Sequence, residues 1–241
     1  MEAIRIENLT KKYKDVTAVD HLTLSVAEGE LFSLLGVNGA GKTTTIRMLS
    51  TLTLPTGGDA YLLGKSITRD AAAVKSVIAV SPQETAVAPN LTVSENLALI
   101  CGVHGFSKEK QETNIREMTA LLGLESVLGR KAGKLSGGWQ RRLSIAMALI
   151  CEPKILFLDE PTLGLDVIAR SELWDLIRSM KGKITIILTT HYMEEAEALS
   201  DRIGIMKNGR LLAVGTVEEL NAKSNTNNFE SAFVYIVKEG V

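Results

Sequence analysis

Eight consecutive residues, Gly36-Val37-Asn38-Gly39-Ala40-Gly41-Lys42-Thr43, restrict what this chain can fold into more than any other stretch. They follow a nearly continuous apolar run, Leu31-Phe32-Ser33-Leu34-Leu35, and precede a helical stretch from Lys42 through Leu49. Such a run suits a strand buried on both faces of a parallel sheet. Glycines let the backbone wrap until successive N–H groups point at one anion, and the positive end of the following helix points at it too. Lys42 brings a mobile cation for the β- and γ-phosphates, and Thr43 offers a hydroxyl to Mg²⁺. Strand, glycine loop and helix in this order predict a nucleotide phosphate site, which Thr44 extends by one residue.

A second element narrows the chemistry. Ile155-Leu156-Phe157-Leu158 is an apolar strand that ends in Asp159-Glu160. At the carboxyl end of a shared sheet, Asp159 would emerge beside Thr43 and hold Mg²⁺ through water. Glu160, one residue on, could reach the water that attacks the γ-phosphate. Alone, two acids closing a strand would mean only a solvated strand end; a phosphate loop upstream gives them a task.

The remaining pattern supplies a scaffold. Residues 2 to 35 read as strands, with a polar turn near Lys14-Asp15; Ala60 to Leu63 and Val77 to Val80 read as further strands. From Thr92 to Cys151 the strand signals give way to helices: one capped by Thr92 or Ser94, one over Lys108 to Leu122, one after Ser136. Strands return at Ile155 to Leu158 and Ile184 to Leu188, and Asn208-Gly209 between two short strands predicts a hairpin. Asn221 to Asn228, rich in Asn, Ser and Thr, reads as a linker. Beyond it Phe229, Ala232, Phe233, Ile236 and Val237 share one face of a helix, expected to dock on its own domain.

With 241 residues, 45% of them hydrophobic, the chain can bury a full core without staples, which excludes a disulfide miniprotein and a disordered tail. Cys101 and Cys151 lie among apolar residues and read as reduced thiols. The start, Met1 to Arg5, alternates like a strand and carries no apolar leader. No stretch approaches the roughly 18 to 20 apolar residues that cross a bilayer. Lys+Arg 27 against Asp+Glu 28 gives a net charge of -1, which argues against a nucleic-acid partner bound through its phosphates.

Between the phosphate loop and the acidic strand lies Leu135-Ser136-Gly137-Gly138-Trp139-Gln140-Arg141-Arg142, and here the sequence resembles the ATP-binding cassette (ABC) ATPases. Ser-Gly-Gly before a helix looks like that family's signature motif, in which a hydroxyl and glycine N–H groups at a helix N-terminus bind phosphate oxygens. Four further matches fall in family order. Tyr13 resembles the aromatic residue that stacks on adenine. Gln83, after Ser81-Pro82, looks like the glutamine that contacts Mg²⁺ and the attacking water. Leu163-Gly164-Leu165-Asp166 resembles the loop after the acidic strand, and Thr189-Thr190-His191 the switch whose histidine contacts the γ-phosphate. Trp139, Met147 and Val167 depart from the residues common at their positions; the first two remove no phosphate ligand, and Val167, where Pro is common, makes its loop less rigid.

The resemblance implies an α/β fold: a P-loop NTPase core with a mixed sheet, an N-terminal antiparallel β subdomain and an inserted α-helical subdomain. It places the ABC ATPase domain at 1–220, with core segments 1–84 and 152–220 and the helical subdomain at about 85–151, leaving a linker and amphipathic helix at 221–241. It implies ATP and Mg²⁺ as cofactors, with Thr43, Gln83 and Asp159 at the metal. Glu160, His191, Gln83 and Lys42 are expected to act in hydrolysis. Tyr13, the loop from Gly36 to Thr44, and Ser136-Gly137-Gly138 are expected to bind nucleotide, the last three on a second ATPase subunit. The expected partners are that second subunit and a separate membrane-spanning permease at the cytoplasmic side of the membrane. Single-cassette length and short helical insert favour transport over action on ribosomes or DNA. The segments Gln83 to Leu97 and Thr190 to Glu197 look most like ABC-2 exporters, with an importer subunit as the alternative.

Overall fold

The computed structural model describes residues 1–239; positions 240 and 241, the end of the expected C-terminal helix, lie outside the described residues. Two sheets organise the chain. The first joins β1 (Glu2–Tyr13), β2 (Val16–Ala27), β4 (Gly57–Leu62) and β5 (Lys65–Ser66) in the order β2-β1-β4-β5, with every pairing antiparallel. The second joins β3 (Leu31–Gly36), β6 (Ile78–Ser81), β7 (Ile155–Asp159), β8 (Thr185–Thr190), β9 (Arg202–Lys207) and β10 (Arg210–Gly215) in the order β10-β9-β3-β8-β7-β6. Only the β9–β10 hairpin is antiparallel there. Its turn, Asn208-Gly209, has φ of 49° and 80°, the doubly left-handed turn that this dipeptide favours.

The second sheet is buried on both faces, so its strands carry apolar residues at successive positions. Phe32, Leu34, Ile155, Phe157 and Ile187 face a core shared with β1, β2, β4 and α1 (Lys42–Leu49). Leu31, Leu156, Leu158, Ile186 and Leu188 face the opposite way. They pack against α3 (Val93–Val103), α4 (Lys108–Leu122), α5 (Gly137–Leu149) and α6 (Val167–Met180). A short α2 (Ala71–Lys75) precedes β6.

Local chemistry sets the helix ends. Thr92 and Glu95 form a reciprocal capping box on α3, while Ser107 caps α4 and Gly123, at φ 64°, closes it. The strand expected to stop at Leu188 runs on to Thr190, because pairing with β3 continues to Leu35 opposite Thr190.

The expected linker is shorter than its composition suggests. Asn221 to Ser224 form the second half of α8 (Val217–Ser224), started by a capping box between Thr216 and Glu219. Leu220 is fully buried and fixes that helix; only Asn225 to Asn228 connect it to α9 (Phe229–Glu239). A boundary at 220 would therefore cut through a helix. Phe229, Ala232 and Ile236 pack with Leu35, Ile203, Ile205 and Leu220 beside α7 (Met193–Leu199), so α9 seals the β9–β10 end of the sheet.

Removing a large side chain from that seal leaves a cavity. Phe229→Ala should cost about 3 kcal/mol in urea unfolding, whereas Tyr235→Ala, on the half-exposed side of the same helix, should cost less than about 0.5 kcal/mol.

Candidate nucleotide site

Strands β3, β7 and β8 run parallel, so their carboxyl ends lie together at one edge of the sheet. The phosphate loop leaves β3, Asp159 and Glu160 leave β7, and Thr189 to His191 leave β8. A cleft of ≈ 730 Å³ opens there, lined by Tyr13, Asn38 to Thr44, Gln83, Glu160 and His191 among others. Sequence positions 13 to 191 thus converge on one cavity.

The loop's geometry requires its glycines at two points. A Cβ on Gly36 would stand 2.4 Å from the Met206 carbonyl oxygen. Gly41, the residue before α1, has φ 105°, and a Cβ there would stand 2.4 Å from the Ala18 carbonyl oxygen. No side chain caps α1, so the N–H groups of its first turn remain available to an anion at its positive end. Lys42 is buried; its Nζ donates to the carbonyls of Gly36 (2.7 Å) and Val37 (3.3 Å) and lies 3.4 Å from Glu160 Oε1.

The two carboxylates diverge although they are neighbours. Asp159 Oδ1 accepts from Thr43 Oγ1 at 3.1 Å and from Thr189 Oγ1 at 2.5 Å. Glu160 has φ 46°, a left-handed conformation costly for a residue with a side chain. Its N–H donates to the Thr189 carbonyl (3.0 Å), and the bend turns its carboxylate away from Asp159. Glu160 Oε2 then meets His191 Nδ1 at 3.1 Å. His191 packs against Tyr192 with tilted rings 4.1 Å apart between centroids, and the Arg170 guanidinium lies 4.9 Å from the Tyr192 ring centroid.

Tyr13, half-exposed, forms one wall of the cleft, with Lys11 Nζ 4.9 Å from its ring centroid. Gln83 forms another wall, exposed at a bend after β6. Ser136, Gly137 and Gly138 do not line this cleft. They form the N-terminus of α5, where Ser136 is exposed and its hydroxyl caps no N–H.

The same order of elements is found in known proteins. A family model described as ABC transporter matches residues 19–163. The chain belongs to the ABC transporter family. It is 39% identical over 242 residues to the probable multidrug ABC transporter ATP-binding protein YbhF of Escherichia coli (strain K12), covering 98% of this chain and 42% of YbhF. It is 40% identical over 226 residues to the daunorubicin/doxorubicin resistance ATP-binding protein DrrA of Streptomyces peucetius, covering 93% of this chain and 68% of DrrA. The chain therefore spans about two fifths of YbhF and two thirds of DrrA. The structure of the ATP-binding cassette MJ0796, dimeric, post-hydrolysis and bound to ADP and Pi, is similar at a TM-score of 0.79 and 27% identity, covering 88% of this chain and 98% of that one. The chain is thus an ATP-binding cassette with the α/β fold of its ABC relatives.

Around this ABC site stand two buried charges that reading the sequence assigned no role. Glu195, fully buried in α7, accepts a hydrogen bond from Trp174 Nε1 at 3.1 Å, and its other oxygen has no hydrogen-bond partner. Burial pushes its carboxyl up from the usual range, partly offset by the nearby Thr190 and Thr162 hydroxyls, the Trp174 indole and the Arg170 charge. Arg141 is buried in α5 and donates to the Pro82 and Gln83 carbonyls. The acids of Met193-Glu194-Glu195-Ala196-Glu197 do not single out Glu195, because helical phase decides which glutamate turns inward.

The raised Glu195 carboxyl makes stability depend on pH. The native chain keeps this proton to higher pH than the unfolded chain, so unfolding releases it, and stability falls as pH rises from the ordinary value of 4.5 toward the folded one. Glu195→Gln keeps the indole bond but abolishes that slope. The variant's Tm should gain on the parent steadily as pH rises through this window, then hold a constant lead; a lead independent of pH would contradict the raised carboxyl.

Proposed function

We propose that this chain hydrolyses ATP to ADP and phosphate in a head-to-tail dimer and drives export through a separate membrane-spanning partner. The observation that carries the hydrolytic reading is the meeting of three side chains beside the phosphate loop, Lys42 at 3.4 Å and His191 at 3.1 Å from Glu160. Glu160 can orient a water and accept its proton, since a buried carboxylate next to a cation and an imidazole is held in fixed geometry. His191 and Gln83 border the approach, and Tyr13 offers a ring to the base. The phosphate-loop N–H groups and Lys42 take charge that develops on the phosphoryl oxygens.

Thr43 Oγ1 and Asp159 Oδ1, 3.1 Å apart, are hard oxygen donors beside the phosphate loop, and Gln83 reaches the same cleft. They fit Mg²⁺, which is usually held by one or two protein oxygens plus substrate phosphates, not by an all-protein cage. No group of three His, Cys, Asp or Glu suited to a metal occurs among the described residues. Bound there, Mg²⁺ would neutralise charge on the β- and γ-phosphates.

Exposed features support the dimer. The Ser136 hydroxyl is uncommitted at a helix N-terminus, and apolar Val167 (77% exposed) and Ile168 (73%) stand at the start of α6. A second copy laid head to tail would cover them and bring its Ser136-Gly137-Gly138 to the nucleotide. For the membrane partner, a groove of ≈ 470 Å³ between β6, α3 and α5 includes Pro82, Ala86, Ile100 and Met147. Among the described residues no helix is long and apolar enough to cross a membrane. YbhF and DrrA, named for multidrug and daunorubicin/doxorubicin resistance, favour export and a peripheral location at the cytoplasmic face.

Glu160→Gln should retain ATP binding, slow turnover by at least about 100-fold, and yield an ATP-dependent dimer by size-exclusion light scattering. Persistent hydrolysis without such a dimer would reject the role of Glu160. Lys42→Ala should instead weaken ATP itself by about 10-fold or more; an unchanged affinity by calorimetry would reject the phosphate reading of the loop.

A further inference from the structure

Where β6 ends, the chain must leave the sheet and present Gln83 to the cleft. In an extended strand successive carbonyls point to opposite sides, yet here the carbonyls of Pro82 and Gln83 converge on one group. Arg141 Nη1 donates to the Pro82 oxygen and Nη2 to the Gln83 oxygen, both at 2.6 Å. The planar guanidinium thus sets the bend at Gln83-Glu84 as a template would. Next to it, Ser81 Oγ lies 3.1 Å from Ser144 Oγ, one helical turn after Arg141, so β6 and α5 meet at two buried points.

Arg141 is 3% exposed. A guanidinium removed from water and bonded to neutral carbonyls is costly, and the compensating charges are Asp159 and Glu195, which both act on it. Apolar packing alone would hold β6 against α5 at lower cost. A charged fork is needed where the direction of a particular loop matters. Five residues before Arg141 on the same element stands Ser136.

We infer that Arg141 is a positioning residue for hydrolysis: it aims Gln83 into the cleft and ties its position to the helix that presents Ser136. The inference rests on the proposed role of Gln83 at the attacking water. Movement of α5 against the sheet would displace the Gln83 backbone with it, so a cassette whose Ser136 is not seated on a neighbouring nucleotide would also have a misplaced Gln83.

The test is a double-mutant cycle on the full chain, with ATPase kinetics and thermal melting. Arg141→Lys keeps the charge and most of the volume but loses the fork. It should lower kcat about 10-fold, leave KM for ATP within about twofold and melt as a folded protein. Arg141→Met removes charge and donors and should lower kcat at least as much; should it fail to fold, Arg141→Lys carries the test. Gln83→Ala should lower kcat alone, and adding Arg141→Lys to it should cost nothing further, since no side chain remains to be aimed. Losses that multiply would make Arg141 a structural residue and overturn the inference while leaving Gln83 in place. An unchanged kcat in Arg141→Lys would overturn it equally. An unchanged kcat in Gln83→Ala would reject the role of Gln83 itself, and the inference with it.

Discussion

Parallel pairing of β3 with β8 and of β8 with β7 sets Leu35 opposite Thr190 and Thr189 opposite Asp159. A slip of one residue in either pair would turn Phe157 or Ile187 from one core into the other, and both cores are closely packed. A slip of two would keep the faces but carry Asp159 past Thr43 by one pleat. What opposes that slip is polar and local: the Thr189 hydroxyl on Asp159, the Thr43 hydroxyl on the same oxygen, and the Glu160 N–H on the Thr189 carbonyl. The hydrophobic cores choose the faces, and these three hydrogen bonds choose the register on which the cleft depends.

That edge gathers charge at a cost. Lys42, Asp159 and Glu160 are all under a tenth exposed, and burying ions is repaid only when each finds partners of good geometry. Each does, but the partners are mutual: Lys42 faces Glu160, Glu160 faces His191, and Asp159 gathers two hydroxyls. The left-handed turn at Glu160 adds strain to an already expensive arrangement. Together they separate two adjacent carboxylates, one toward the Thr43 and Thr189 hydroxyls and one toward Lys42 and His191. A stability-optimised strand end would have neither the strain nor the buried acids.

Much of this was legible because the carriers are local. The phosphate loop, the acidic strand end and the Asn-Gly hairpin each declare themselves within a few residues, through backbone requirements that only certain side chains meet. The tail shows the limit: Asn221 to Ser224 look like linker by composition, yet a capping box at Thr216 and Glu219 and the buried Leu220 hold them in a helix. Long-range partnerships were not legible at all. Nothing near Arg141 announces that it will meet carbonyls 59 and 58 positions earlier, and nothing near Glu195 announces Trp174 21 positions away. Both are charges, and polar pattern alone assigns a charge to the surface.

The proposed dimer must also come apart, and the surface is suited to that. Were two cassettes held mainly by apolar contact, cleaving a phosphate bond would change their association little, since a ligand shifts an equilibrium only by its differential affinity for the two states. Near the cleft the exposed apolar side chains are scattered along the sequence, Val16 and Val37 in one part and Leu163, Val167 and Ile168 in another, among polar and glycine residues. The opposing element is an N-terminal helix turn with a free hydroxyl, which gains most from an anion. A proposed interface of that composition would draw its strength from the triphosphate it enclosed, and would lose it when the γ-phosphate left. The same argument bears on the bond from Arg141 to the Gln83 carbonyl: with the proposed role of Gln83, the residue beside the attacking water would take its place only when the helix carrying Ser136 has taken its own.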